Sequence, residues 1–125
     1  MNQPLLRPAG ELVWTQIQPG AEQCVVAGDP EQVGAAYVIR FRTAQEIAVA
    51  PHWHPADEHI TVLEGRFALG FGDRFDKTAL AEYPAGSYLA IPKGVRHFAF
   101  YWPGTVLQVN GLGPFQSIEV EEVPD

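Results

Sequence analysis

PHWHPADEHITVLEG, residues 51–65, holds three of the chain's four histidines, and the fourth, His97, follows in GSYLAIPKGVRH, residues 86–97. In an extended segment side chains alternate between faces, so His52 and His54 point one way and Trp53 the other. Pro55 cannot continue a sheet ladder and turns the chain, which returns Glu58 to the histidine side at the start of HITVLEG. Two imidazoles and a carboxylate then converge, and His97 is the natural fourth member. A mixed nitrogen and oxygen donor set suits a divalent transition ion, whether Fe, Mn, Ni, Zn or Cu, because imidazole favours the softer of these and carboxylate the harder.

The spacing resembles that of the cupins. Their first motif is written G-x5-H-x-H-x3,4-E-x6-G, and here His52, His54, Glu58 and Gly65 fall at its positions, with Glu46 in place of the leading glycine. Their second motif is G-x5-P-x-G-x2-H-x3-N, met by Gly86, Pro92, Gly94 and His97, with Tyr101 where the final Asn would stand. The resemblance implies that His52, His54, Glu58 and His97 ligate one metal ion in a jelly-roll barrel. It also implies that a small cupin pairs as a homodimer. The stretches GFGDRFD and QVNGLGPF are similar to those of small stand-alone bacterial cupins.

Composition agrees with one all-β domain. The chain has 125 residues, too few for two cores, and its eleven prolines and twelve glycines fall between short apolar runs. Strands are expected at 12–18, in EQCVVAG, GAAYVIRFRT and EIAVAPHWH, and in SYLAIP, HFAFYW, TVLQVNG and PFQSIEVE. HITVLEG and RFALGFG are expected to form a hairpin about Gly65, which supplies the positive φ of a tight turn. A short helical turn is expected within 76–81. Residues 1–10 read as an arm able to add a strand to a second subunit, residues 11–125 as a single barrel, and the acidic end, Glu119, Glu121, Glu122 and Asp125, as a solvated tail. About ten short strands leave long open edges unless they close into a sandwich or barrel.

A net charge of -7 with scattered Lys and Arg argues against a nucleic-acid partner. With no long apolar run and no secretory h-region, the chain is expected to be cytoplasmic and away from membranes. Cys24 is the single cysteine, so no internal disulfide forms, and its place in an apolar run marks a buried small hydrophobe.

Around the expected metal, three neutral imidazoles and one carboxylate leave a divalent ion with a charge of +1, and an octahedral ion keeps two adjacent positions for a small-molecule ligand. Tyr101 and Gln108 are read as polar tips aimed at the cavity. Phe67, Leu69, Tyr88 and Ile91 are candidates for its apolar wall. His59, opposite in parity to Glu58, is read as outward-facing or behind the ligands, with a role as general base if it reaches the metal. Arg40 meets a substrate carboxylate only if its face is inward.

Three functions compete. By resemblance the chain is a metal-dependent dioxygenase acting on a diketone-like, phenolic or thiol substrate. A non-catalytic module that binds a metal or small ligand is the second. The third, a metal-dependent isomerase or lyase, needs a base, with Tyr101 and His59 as candidates.

Overall fold

In the computed structural model, which describes residues 2–121, the chain forms two antiparallel sheets that face each other. The strands are β1 (Thr15–Gln18), β2 (Ala21–Gly28), β3 (Ala36–Thr43), β4 (Ile47–Trp53), β5 (Glu58–Glu64) and β6 (Arg66–Phe71), then β7 (Ala81–Pro84), β8 (Tyr88–Ile91), β9 (His97–Tyr101), β10 (Val106–Leu112) and β11 (Ile118–Glu119). One sheet has the order β1-β2-β3-β10-β5-β8 and the other β11-β4-β9-β6-β7. This is the expected jelly roll. Two short 3-10 turns, Ala9–Glu11 and Lys77–Ala79, complete it, and none of the described helices is long and apolar enough to cross a membrane.

Alternation along the strands puts one apolar row on each inner face. Tyr37 and Ile39 of β3, Ile60 and Val62 of β5, and Leu107 and Val109 of β10 meet Phe67 and Leu69 of β6 across the sandwich, each almost fully buried. The opposite parity carries the polar residues outward. Arg42 of β3 pairs with Glu22 at 3.0 Å and lies 4.0 Å over the Trp14 ring, and Arg7 donates to the Val26 carbonyl at 3.0 Å.

Several expectations need correction. β5 and β6 do not form a hairpin. They belong to different sheets, and Gly65 is the corner between them. Its φ of +77° is the positive angle expected of it, but glycine is also demanded by space, since a Cβ there would sit 2.6 Å from Thr105 Cα. The Thr105 hydroxyl ties this corner down, 2.7 Å from the carbonyls of both Arg66 and Trp102. The strand expected over 12–18 is confined to Thr15–Gln18, because the turn Ala9–Glu11 precedes it and Leu12 caps that turn. The arm boundary placed after residue 10 therefore falls inside a turn. At the other end β11 has two residues only, and Glu122 and Asp125 of the acidic tail lie outside the described residues. The helical turn expected within 76–81 is Lys77–Ala79, opened by Asp76, which accepts from Thr78 N at 3.0 Å. Cys24 is buried, as its apolar run suggests.

Candidate metal centre

Strands β4, β5 and β9 bring four separated residues to one place. His52 and His97 are directly paired across β4 and β9, and Glu58 faces them from the other sheet at the first position of β5. His54 lies just beyond the end of β4. The inward turn of His52 depends on an irregularity. Ile47 and Val49 line the interior, so strict alternation would send His52 outward, but the register of β4 against β9 shifts between Val49 and His52. The shift spans Pro51, which has no N–H for the ladder, and it exchanges the faces of the strand.

The His52 and His97 ring centroids are 4.2 Å apart, with His54 at 4.9 and 5.1 Å from them, and ligand atoms of the three lie within 4.8 Å of one another. Glu58 Oε1 is 3.3 Å from His54 Nε2 and 3.5 Å from His97 Nε2. All four side chains are buried, none more than 8% exposed.

Each ring is held from behind by a backbone carbonyl. His52 Nδ1 is 2.8 Å from Ala50 O, His54 Nδ1 is 2.9 Å from Gln116 O, and His97 Nδ1 is 2.9 Å from Val95 O. A carbonyl only accepts, so each Nδ1 carries a proton, and a ring with that single proton turns the lone pair of Nε2 toward its neighbours. Phe115 stacks on His54 at 5.2 Å and fixes that ring from the side.

The electrostatics follow from this crowding. Burial pushes the Glu58 carboxyl up, but contact with His54 and His97 outweighs it and holds the pKa down to about 2. Burial lowers His52 to about 4, so that ring is neutral at pH 7. Burial also lowers His54, yet the adjacent carboxylate overcomes it and the net direction is up. Even so, His54 Nε2 and Glu58 Oε1 have no hydrogen-bond partner, although both are shut away from solvent. Buried polar atoms are seldom left so. Nitrogen lone pairs and a carboxylate oxygen facing one another ask for a cation between them, and the donor set fits a divalent transition ion.

The four residues form one wall of a cavity of about 370 Å³ that opens to solvent past Ile17 and Gln18. Of the apolar wall candidates, Phe67 and Leu69 line it and Ile91 is buried in the adjoining core. Tyr88 does not line it. Its ring is 62% exposed on the outside of the sheet, paired in register with Thr61. Tyr101 lines the cavity with its ring edge-on to Phe67 at 5.0 Å. Gln108, read as a polar tip aimed at the cavity, lies outside it, its Oε1 accepting from Arg40 Nε at 3.0 Å, while His59 faces outward as its parity against Glu58 suggests, its Nδ1 2.6 Å from the Tyr88 hydroxyl, and so offers no base beside the metal ligands. The outward turn of Gln108 was readable in the sequence, since Leu107 and Val109 on either side of it are the apolar pair of that strand. Arg40 shares its outer face and does not reach the cavity. Phe115 and Gln23 were not anticipated, and both line it. Phe115 left no local signal, whereas Gln23 has the parity of Ala21 in β2, and both of those side chains face inward.

A family model of the ChrR cupin-like domain matches residues 2–116. No curated protein sequence matches the chain. Among solved structures, the polyketide cyclase RemF of Streptomyces resistomycificus is 20% identical, with a TM-score of 0.71 over 100% of this chain and 89% of its own. KdgF from a Halomonas species is 18% identical, with a TM-score of 0.70 over 89% of this chain and 96% of its own. The oxalate decarboxylase of Bacillus subtilis, a protein with Mn(II) centres, is 13% identical, with a TM-score of 0.63 over 89% of this chain and 31% of its own. At such identities the likeness is one of fold. The family match runs through both motifs and nearly the whole barrel that carries them, and the chain belongs to the family of ChrR cupin-like domains.

Proposed function

We propose that the chain is a metal-dependent dioxygenase acting on a small organic molecule, with one divalent transition ion held by His52, His54, Glu58 and His97. The observation that carries this reading is the buried, unpartnered pair His54 Nε2 and Glu58 Oε1, set in the wall of a cavity with room for a small ligand. A divalent ion there supplies Lewis acidity and, if redox-active, electron transfer toward dioxygen. The chain supplies the rest. The carbonyls of Ala50, Val95 and Gln116 hold the three imidazoles in one tautomer, and apolar side chains such as Ile60, Leu69 and Val109 line the space beside them.

The isomerase or lyase reading is weaker for want of a base. His59 lies on the outer face. Burial, then the charge of Glu58, pushes the Tyr101 phenol pKa up, so the hydroxyl stays protonated and serves as a hydrogen-bond donor.

The test combines elemental analysis with an oxygen electrode. Protein from metal-supplemented cells is expected to carry near-stoichiometric metal and to consume dioxygen with a phenol or diketone from a small panel, and His54→Ala is expected to lose both. Bound metal with ligand binding but no uptake over the panel would make the chain a binding module. Protein that takes up no transition metal would overturn the metal centre itself.

A further inference from the structure

The cavity is polar at its two ends and apolar between them. Its axis runs along the strands, as the register shows. In one sheet the row Phe71, His97, His52 lies four residues along β6 and β9, and five along the bulged β4, from the row Phe67, Tyr101, Ile47, about 13 Å at 3.3 Å per residue. In the facing sheet the row Val62, Leu107, Phe41, Gln23 lies the same four residues along β5 from Glu58. Gln23 and Tyr101 therefore stand at the end remote from the histidines. The lining between is aliphatic, with Ile60, Leu69, Val109 and Ala99.

Two features of the remote end restrict what it accepts. No Lys or Arg lines the cavity among the described residues, and Glu58 is its single acid. The Thr43 hydroxyl is already committed, donating to Trp102 O at 2.9 Å. The Gln23 amide and the Tyr101 hydroxyl have no hydrogen-bond partner among the described residues, so both are available to a ligand. A carboxamide donates and accepts, and a phenol held protonated donates.

We infer that the cavity selects an elongated, uncharged-tailed molecule: a chelating oxygen pair at the histidine end, an apolar body, and a hydroxyl or carbonyl tail that meets Gln23 and Tyr101. An analogue with a carboxylate or phosphate tail binds more weakly, because no Lys or Arg lines that end to offset the cost of taking its charge out of water. The inference rests on the metal centre proposed above and assigns the tail-binding role to Gln23.

Zinc-loaded protein, which does not oxidise the probes, is titrated by calorimetry with unsubstituted catechol and with catechols bearing a propyl, a hydroxypropyl or a propionate chain para to one hydroxyl. The hydroxypropyl probe is expected to bind about two- to tenfold tighter than the propyl probe, the worth of one net hydrogen bond. The propionate probe is expected to bind at least about tenfold weaker than the hydroxypropyl one. In the double variant Gln23→Leu, Tyr101→Phe the ratio of hydroxypropyl to propyl affinity should fall to about one, the cost of the lost bonds. Zinc content reports that the variant is folded, and Gln23→Met replaces Gln23→Leu if it is not. Propionate binding as tight as hydroxypropyl, or a hydroxypropyl advantage that survives in the double variant, overturns the inference. Failure of the wild-type protein to hold zinc, or of the zinc-loaded protein to bind unsubstituted catechol, instead removes the metal centre, and this inference falls with it.

Discussion

Glu58 and His59 are adjacent in β5, and both are of residue types that ligate metals, yet they meet opposite surroundings. Glu58 faces inward, 6% exposed, with His54 and His97 within 3.5 Å of one oxygen. His59 faces outward and meets the Tyr88 hydroxyl on a solvated sheet surface. The inner histidines are backed by carbonyls that fix their protons, whereas His59 is backed by a hydroxyl that can either donate or accept. Residue type makes a side chain eligible for a metal site. The face of the strand and the group behind the ring decide whether it is used.

The largest effect should separate these two faces directly. His54→Ala and Glu58→Gln are expected to reduce bound metal to a small fraction of the wild-type content, while His59→Ala leaves it unchanged. Elemental analysis of the three variants purified in parallel decides this, and loss of metal in His59→Ala would break the division between inside and outside.

A second contrast sets a crowded corner against an open turn. Gly65 and Gly94 have nearly the same backbone angle, φ +77° and +79°, but a Cβ at Gly65 collides with Thr105 while one at Gly94 meets nothing within 4 Å. Gly94→Ala should cost about 1–2 kcal/mol, the penalty for the left-handed angle alone. Gly65→Ala should cost more than about 3 kcal/mol, because main-chain atoms must also move. Denaturant unfolding of both variants measures the difference, and equal losses would mean that the corner relaxes freely.

Smaller effects are expected from the two tyrosines. Tyr101→Phe should retain its metal, since its backbone position is about 13 Å along β9 from that of His97 and the phenol is not read as a ligand. Metal loss in that variant would place the hydroxyl at the ion. Tyr88→Phe removes an exposed hydrogen bond to His59 and should change stability by less than about 0.5 kcal/mol. A larger drop in its melting curve would show that the outer face contributes more than its exposure suggests.

The sequence alone picked out the candidate metal-binding cluster and the class of fold. Ligand spacing is local, so HWHPADE with a later PKGVRH carries it, and short apolar runs cut by Pro and Gly announce a closed β structure whatever the pairing. Parity also placed Tyr101 on the His97 face, and both line the cavity. Tertiary structure decided what parity cannot: the absolute face and the partner of each strand. Alternation says that Glu58 and His59 differ, but only packing against the second sheet says which is inside. The shift between Val49 and His52 reverses the face of β4 midway, and it exists because β9 must pair on both sides of Pro51. Gly65 reads as a hairpin turn, yet β5 and β6 pair with strands far away in sequence, so the same glycine becomes a corner between sheets. Gln116, whose carbonyl fixes the His54 proton, comes from 62 residues further along the chain. No local pattern encodes a contact of that kind, because it arises only when the barrel closes and brings the segment after β10 across the end of β4.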